Sequence, residues 1–172
     1  MTSTPVVDLQ LATSAEGMPA PADLEAWIHA VLARFPHETR HEVTVRIVGI
    51  EEGQALNRDY RDRDKPTNVL SFPFESPPGI VLPLLGDLVL CHPVVVREAH
   101  EQAKRLTDHY AHLVIHGMLH LLGHDHLEED EAEVMEALER EMLADFSIAD
   151  PYSPSPDDEQ QQDDRKDERH DR

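Results

Sequence analysis

Cysteine is nearly absent: the 172 residues hold one, Cys91, inside an apolar strand-like run. An intrachain disulfide and a Cys-rich zinc site are both excluded, and the thiol reads as a small buried hydrophobe. Long apolar runs are missing too, since no stretch approaches the roughly 18 consecutive apolar residues of a membrane-spanning helix. The N-terminus, MTSTPVVDLQLATSAEG, has no basic start followed by an apolar block, so no secretory leader is expected. A soluble cytoplasmic protein is the default expectation, with no membrane partner.

Positive charge is the third scarcity. Fifteen Lys and Arg face 35 Asp and Glu, for a formal net charge of −20. Nonspecific attraction to phosphates scales with positive charge, so a general nucleic-acid coat or membrane-surface binder is excluded, though a locally basic groove is not. The excess is unevenly spread: residues 1–126 carry a net −7 and residues 127–172 a net −13. From Pro151 the chain reads PYSPSPDDEQQQDDRKDERHDR. With no aliphatic residue it cannot bury enough apolar surface to offset the entropy of ordering, so 151–172 is expected to be an acidic disordered tail beside a single domain over 1–150.

What is present is a mixture of strand and helix periodicities, without internal repeat. Val7, Leu9 and Leu11 alternate, as do Val43, Val45 and Ile47, giving two strands, the second running to about Ile50. Leu24, Trp27, Ile28, Val31, Leu32 and Phe35 recur at helical spacing, with Asp23 as a candidate N-cap. A helix over Glu51 to about Tyr60 is expected to turn Leu56 and Tyr60 inward. TNVLSFPF reads as a third strand that ends, or lies at an edge, at Pro73, and LGDLVL as a fourth. Pro93 opens a helix to about Arg105. Another follows from Asp108 to Leu122, stopped by Gly123, and a last one from Glu129 to Phe146 carries Met135, Leu138 and Met142 inward. The predicted fold class is α+β, a small mixed sheet of about four strands covered by helices, with a zincin-like metal-binding helix.

Histidine is abundant, with 12 in all and six from His109 to His126. In HGMLHLLGHDH, His116 and His120 lie four apart on one helix face, about 6 Å along the axis, near enough to share a metal ion. Gly123 permits a turn that swings His126 back toward them. Three imidazoles with an open fourth position are the arrangement catalytic zinc uses, although His124 or Asp125 could close the shell. A lone helical histidine is more often a core or surface residue than a ligand, which is how His29, His109 and His112 read; the last two, near the same face, can alternatively support the ligands. In H-E-x-x-H peptidases the residue after the first histidine is the glutamate general base. Here it is Gly117, so peptide hydrolysis is the weaker reading.

The stretch LNRDYRDRDKPTNVLSFPF has a positive balance, from Arg58, Arg61, Arg63 and Lys65 against Asp59, Asp62 and Asp64. A guanidinium binds phosphate oxygens in a bidentate fork, so an arginine near a metal can hold a scissile phosphate. Arg97, Lys104 and Arg105 could extend such a patch, and the plainer reading of the stretch is a solvated turn. The acidic helix after His126 reads as a solvated face.

These motifs resemble the endoribonuclease YbeY family of bacterial rRNA maturation factors, whose histidine motif has the form H-G-x-L-H-L-x-G-y-D-H. His124 stands where the family usually has an aromatic residue such as Tyr. The likeness also covers LNRDYRDRDKPTNVLSFPF and LLGDLVLC and runs from about Val7 to Tyr152. It implies a single-strand-specific metallo-endoribonuclease that matures the 3′ end of 16S rRNA and serves ribosome quality control. Its partners would be single-stranded RNA, rRNA and the small ribosomal subunit, not DNA. By motif position, one zinc ion per chain would be held by His116, His120 and His126, with Arg61 and His116 as catalytic residues. A noncatalytic zinc-containing ribosome-assembly factor and a metzincin-like peptidase are the alternatives.

Overall fold

The computed structural model describes residues 5–13, 17–80, 82–123 and 129–148. The tail from Pro151, together with His124, Asp125 and His126, lies outside them. The elements run β1 (Val6–Leu11), α1 (Pro21–Ala33), β2 (Glu42–Val48), α2 (Ile50–Arg61), β3 (Val69–Pro73), β4 (Leu84–Cys91), α3 (His92–Glu101), α4 (Leu106–Leu121) and α5 (Glu129–Asp145). The strands form one mixed sheet in the order β1-β2-β4-β3. β1 and β2 pair in parallel, as do β2 and β4, while β3 runs antiparallel on β4. The expected α+β class and four strands are present, and β3 is an edge strand that ends at Pro73, which has no N–H to donate. Among the described residues no helix is long and apolar enough to cross a membrane.

Alternation along the strands divides the interior in two. Val43, Val45, Ile47, Leu88 and Leu90 face α1, α4 and α5, where Leu24, Trp27, Ile28, Val31, Ile115, Met118, Met135 and Met142 complete the main core. Each such side chain contributes about 1.5–3 kcal/mol by leaving water. Val48, Leu70, Val89, Cys91 and Val94 form a smaller cluster on the opposite face, with Leu56 and Phe72 packed against it. Cys91 is buried as expected, and burial pushes its thiol up, away from the reactive thiolate.

Four sequence expectations need correction. Helix α1 is capped by Ala20, not Asp23, because Pro21 occupies the first turn and its fixed φ starts the helix. β2 stops at Val48, since Ile50 already begins α2. α3 ends at Glu101 rather than near Arg105, where Ala103 turns left-handed at φ 53°. Tyr60 is not an inner residue: it is among the most exposed large side chains, because α2 buries Gly53 and Asn57 against the sheet instead. Gly123 does stop α4, at φ 97°, a conformation that side chains other than glycine's strain to adopt.

Candidate metal and phosphate site

Helix α4 is central and buried almost all round. From His109 to Leu121 every residue is buried except His112, His116 and His120, which stand four apart on a single stripe. Helical geometry alone makes that stripe. The Nε2 atoms of His116 and His120 are 3.1 Å apart, with ring centroids at 4.7 Å. Two ligands of a tetrahedral zinc with Zn–N bonds of 2.0–2.1 Å place their nitrogens about 3.3 Å apart. The donor pair therefore fits such an ion. Among the described residues no third His, Cys, Asp or Glu completes a three-donor group, and His126 lies outside them.

Behind the pair is a residue that the sequence reading missed. Glu139, on α5, is wholly buried and accepts a hydrogen bond from Nδ1 of His116. Its other oxygen lies 3.6 Å from Nε2 of His112. Burial alone would push the Glu139 carboxyl up, but His112 and His116 outweigh it and hold the group well below the usual carboxylate range. Burial likewise pushes the His112 imidazole down, so it faces Glu139 as a neutral ring. A carboxylate on Nδ1 fixes the ring of His116 and turns Nε2 toward His120, the arrangement metal-ligating histidines use. The expectation of a solvated acidic helix is thus corrected at Glu139. A signal was available: Glu139 lies four residues after Met135 and three before Met142, on the stripe read as inward.

His109 belongs elsewhere. Its Nε2 donates to Glu98 at 2.9 Å, and Nδ2 of Asn68 donates to the same carboxylate oxygen at 3.0 Å. This largely buried set ties α4 and α3 to the start of β3. His92 accepts from the Tyr110 hydroxyl at 2.5 Å, and burial pushes that phenol up and keeps it protonated. His29 is exposed.

Gly117 sits where α4 meets the sheet. A Cβ there would come 2.7 Å from Leu88 Cδ2 and 3.2 Å from Ser71 Oγ, and the Ser71 hydroxyl donates to the Gly117 carbonyl at 3.3 Å. The position that carries the general base in H-E-x-x-H peptidases is here aimed into the core. Peptidase chemistry of that type has no room for its glutamate.

Arg61 ends α2 at the surface. Asp62 turns left-handed at φ 58°, and the loop behind it is clamped by Asn57, whose Nδ2 donates to the Lys65 carbonyl at 2.7 Å, and by Gln54, which donates to Asp64 at 3.1 Å. Arg58 is engaged by Asp59 at 3.4 Å and Asp64 at 3.9 Å. Arg61 makes no side-chain hydrogen bond or ion pair among the described residues, which leaves its fork open to an anion. It lies on the α2 side of edge strand β3, whereas His116 and His120 lie on the α4 side.

A family model described as Endoribonuclease YbeY matches residues 12–147. This chain belongs to the endoribonuclease YbeY family. An endoribonuclease YbeY of Chromohalobacter salexigens is 65% identical over 152 residues, covering 87% of this chain and 99% of that protein. The fold is similar to the solution structure of TM1509 from Thermotoga maritima, with a TM-score of 0.53 and 22% identity over 84% of this chain and 99% of that one. The matched span of the YbeY model takes in the basic turn, the histidine stripe and Glu139 together.

Proposed function

We propose that this chain is a zinc-dependent endoribonuclease that cuts single-stranded RNA, acting in the cytoplasm on the small ribosomal subunit in 16S rRNA 3′-end maturation and ribosome quality control. The observation that carries the reading is the His116 and His120 nitrogen pair, 3.1 Å apart, with Glu139 behind His116. Membership of the YbeY family supports RNA as the substrate. His116, His120 and His126 would hold one zinc ion, which when bound supplies Lewis acidity for phosphodiester hydrolysis. Glu139 orients the His116 ring. The open guanidinium of Arg61 binds the scissile phosphate and neutralises the charge that develops on its oxygens.

The acidic total is compatible with this reading. Weak general attraction to RNA leaves binding to a local site, or to a ribosomal partner, and selects against promiscuous cutting.

The test is metal analysis of the purified full chain together with cleavage of a single-stranded rRNA fragment by wild type, His120→Ala and Arg61→Ala. We expect one zinc per chain in wild type, its loss with cleavage in His120→Ala, and a fall in cleavage on the order of a hundredfold in folded, zinc-loaded Arg61→Ala. A folded, zinc-free His120→Ala protein that cuts like wild type overturns the reading. The product ends report the nucleophile, a 2′,3′-cyclic phosphate marking attack by the ribose 2′-OH.

A further inference from the structure

Tyr60 is the large apolar side chain most open to water among the described residues, 67% exposed. Its ring nonetheless has a packing partner. Phe72 of β3 meets it edge-on, with centroids 5.1 Å apart and planes at 70°, a favoured geometry for aromatic pairs. Phe72 itself packs against the smaller core cluster. The next residue is Arg61, whose guanidinium is open, and the loop that follows is clamped by Asn57 and Gln54. A packed aromatic ring and an open guanidinium are therefore adjacent at one helix end.

We propose that Tyr60 is a base-stacking platform: an unpaired RNA base packs on the free part of its ring while Arg61 holds the neighbouring phosphate. This rests on the endoribonuclease reading above. Stacking on a protein ring needs a base whose face is open, and in a duplex both faces are covered by neighbouring bases. The contact thus selects single strands, and does so without regard to sequence because every base has a π-face. On β3, Ser71 turns toward α4 and Phe72 toward Tyr60.

The zinc-loaded full chain and four variants, Tyr60→Ala, Tyr60→Leu, Tyr60→Phe and Tyr60→Trp, test this with a short single-stranded RNA. Alanine should raise KM on the order of tenfold, as expected for one lost stacking contact, with kcat little changed. Phenylalanine and tryptophan should match wild type. Leucine covers Phe72 but offers no π-face, so it should behave like alanine. The Tyr60→Trp protein adds a readout independent of cleavage, since the chain's own Trp27 is buried. Its new indole should be quenched on mixing with single-stranded RNA, and not by an oligonucleotide of the same length lacking bases. Wild-type KM in Tyr60→Ala, rescue by leucine, or equal quenching by the base-free strand overturns the platform while leaving the nuclease standing. If wild type neither binds nor cuts single-stranded RNA, the endoribonuclease reading falls and the platform with it.

Discussion

His116 donates its Nδ1–H to the carboxylate of Glu139, a side chain with no exposed surface on a helix otherwise rich in solvated acids. The bond joins α4 to α5 and sets which nitrogen of His116 faces His120. It couples packing to the proposed chemistry, because the same carboxylate both completes a buried polar contact and orients the imidazole proposed to bind zinc.

Replacing that carboxylate separates the two roles. Glu139→Ala removes the acceptor of the His116 Nδ1–H, at about 1–3 kcal/mol. Glu139→Gln keeps one acceptor oxygen and should remain folded. It should still bind zinc about 10- to 100-fold more weakly, as loss of a ligand's supporting partner does. Competition with a chromogenic chelator measures the affinity, and thermal melting the stability. Unchanged zinc affinity in Glu139→Gln would remove Glu139 from the site.

The pH dependence of stability follows from the same cluster. Glu139 has its folded pKa depressed, so its contribution is complete above the unfolded value of about 4.3 and is lost as pH falls below it. His112 is also depressed. The unfolded chain therefore takes up a proton below about pH 6.5 that the folded chain does not, and stability again falls with pH. Melting in the presence of a chelator should drop by a few degrees per pH unit below about pH 6.5. His112→Gln should flatten the upper part of that slope and leave the steeper fall in the carboxylate range. A wild-type curve that is flat or rising as pH drops would contradict both assignments.

Gly117 predicts the fate of an engineered H-E-x-x-H motif. Gly117→Ala gains about 1 kcal/mol of helix propensity but presses a methyl against Leu88 and Ser71. Overpacking of that kind costs about 1–3 kcal/mol, so the net effect is a modest loss in melting temperature. Gly117→Glu pushes a carboxylate into the sheet and should be insoluble or unfolded by circular dichroism. A folded Gly117→Glu protein with zinc-dependent caseinolysis would show that the helix can rotate away from the sheet.

Local pattern made most of this fold legible. Val43, Val45 and Ile47 alternate without exception, Leu24 to Leu32 keep helical spacing, Pro73 marks the edge strand and Gly123 the end of α4. The residues misread were those whose setting is tertiary. Tyr60 has an inward spacing, yet α2 rests on the small Gly53 and its last turn overhangs Phe72. Glu139 has a composition that suggests solvent and a position that dictates burial, and position prevails because His112 and His116 arrive from α4 to meet it. His116 and His120 were legible from their spacing, whereas the contacts of His109 depend on Glu98, 11 residues away in the sequence and on another helix.

That last contact yields a prediction that tells the two histidine clusters apart. Glu98 accepts from both His109 and Asn68, and Asn68 in turn accepts the Val69 N–H at 2.6 Å while its carbonyl accepts the Cys91 N–H at 3.0 Å. The set fixes how β3 leaves the basic loop and enters the sheet, and it shares no hydrogen bond with Glu139 among those described. Glu98→Ala leaves two buried donors without an acceptor, so it should cost about 2–4 kcal/mol of stability. Zinc affinity should be unchanged, the opposite signature to Glu139→Gln. Chelator competition on the folded fraction at low temperature reads this directly. A tenfold loss of zinc affinity in Glu98→Ala would mean that His109 and the metal site act as one cluster after all.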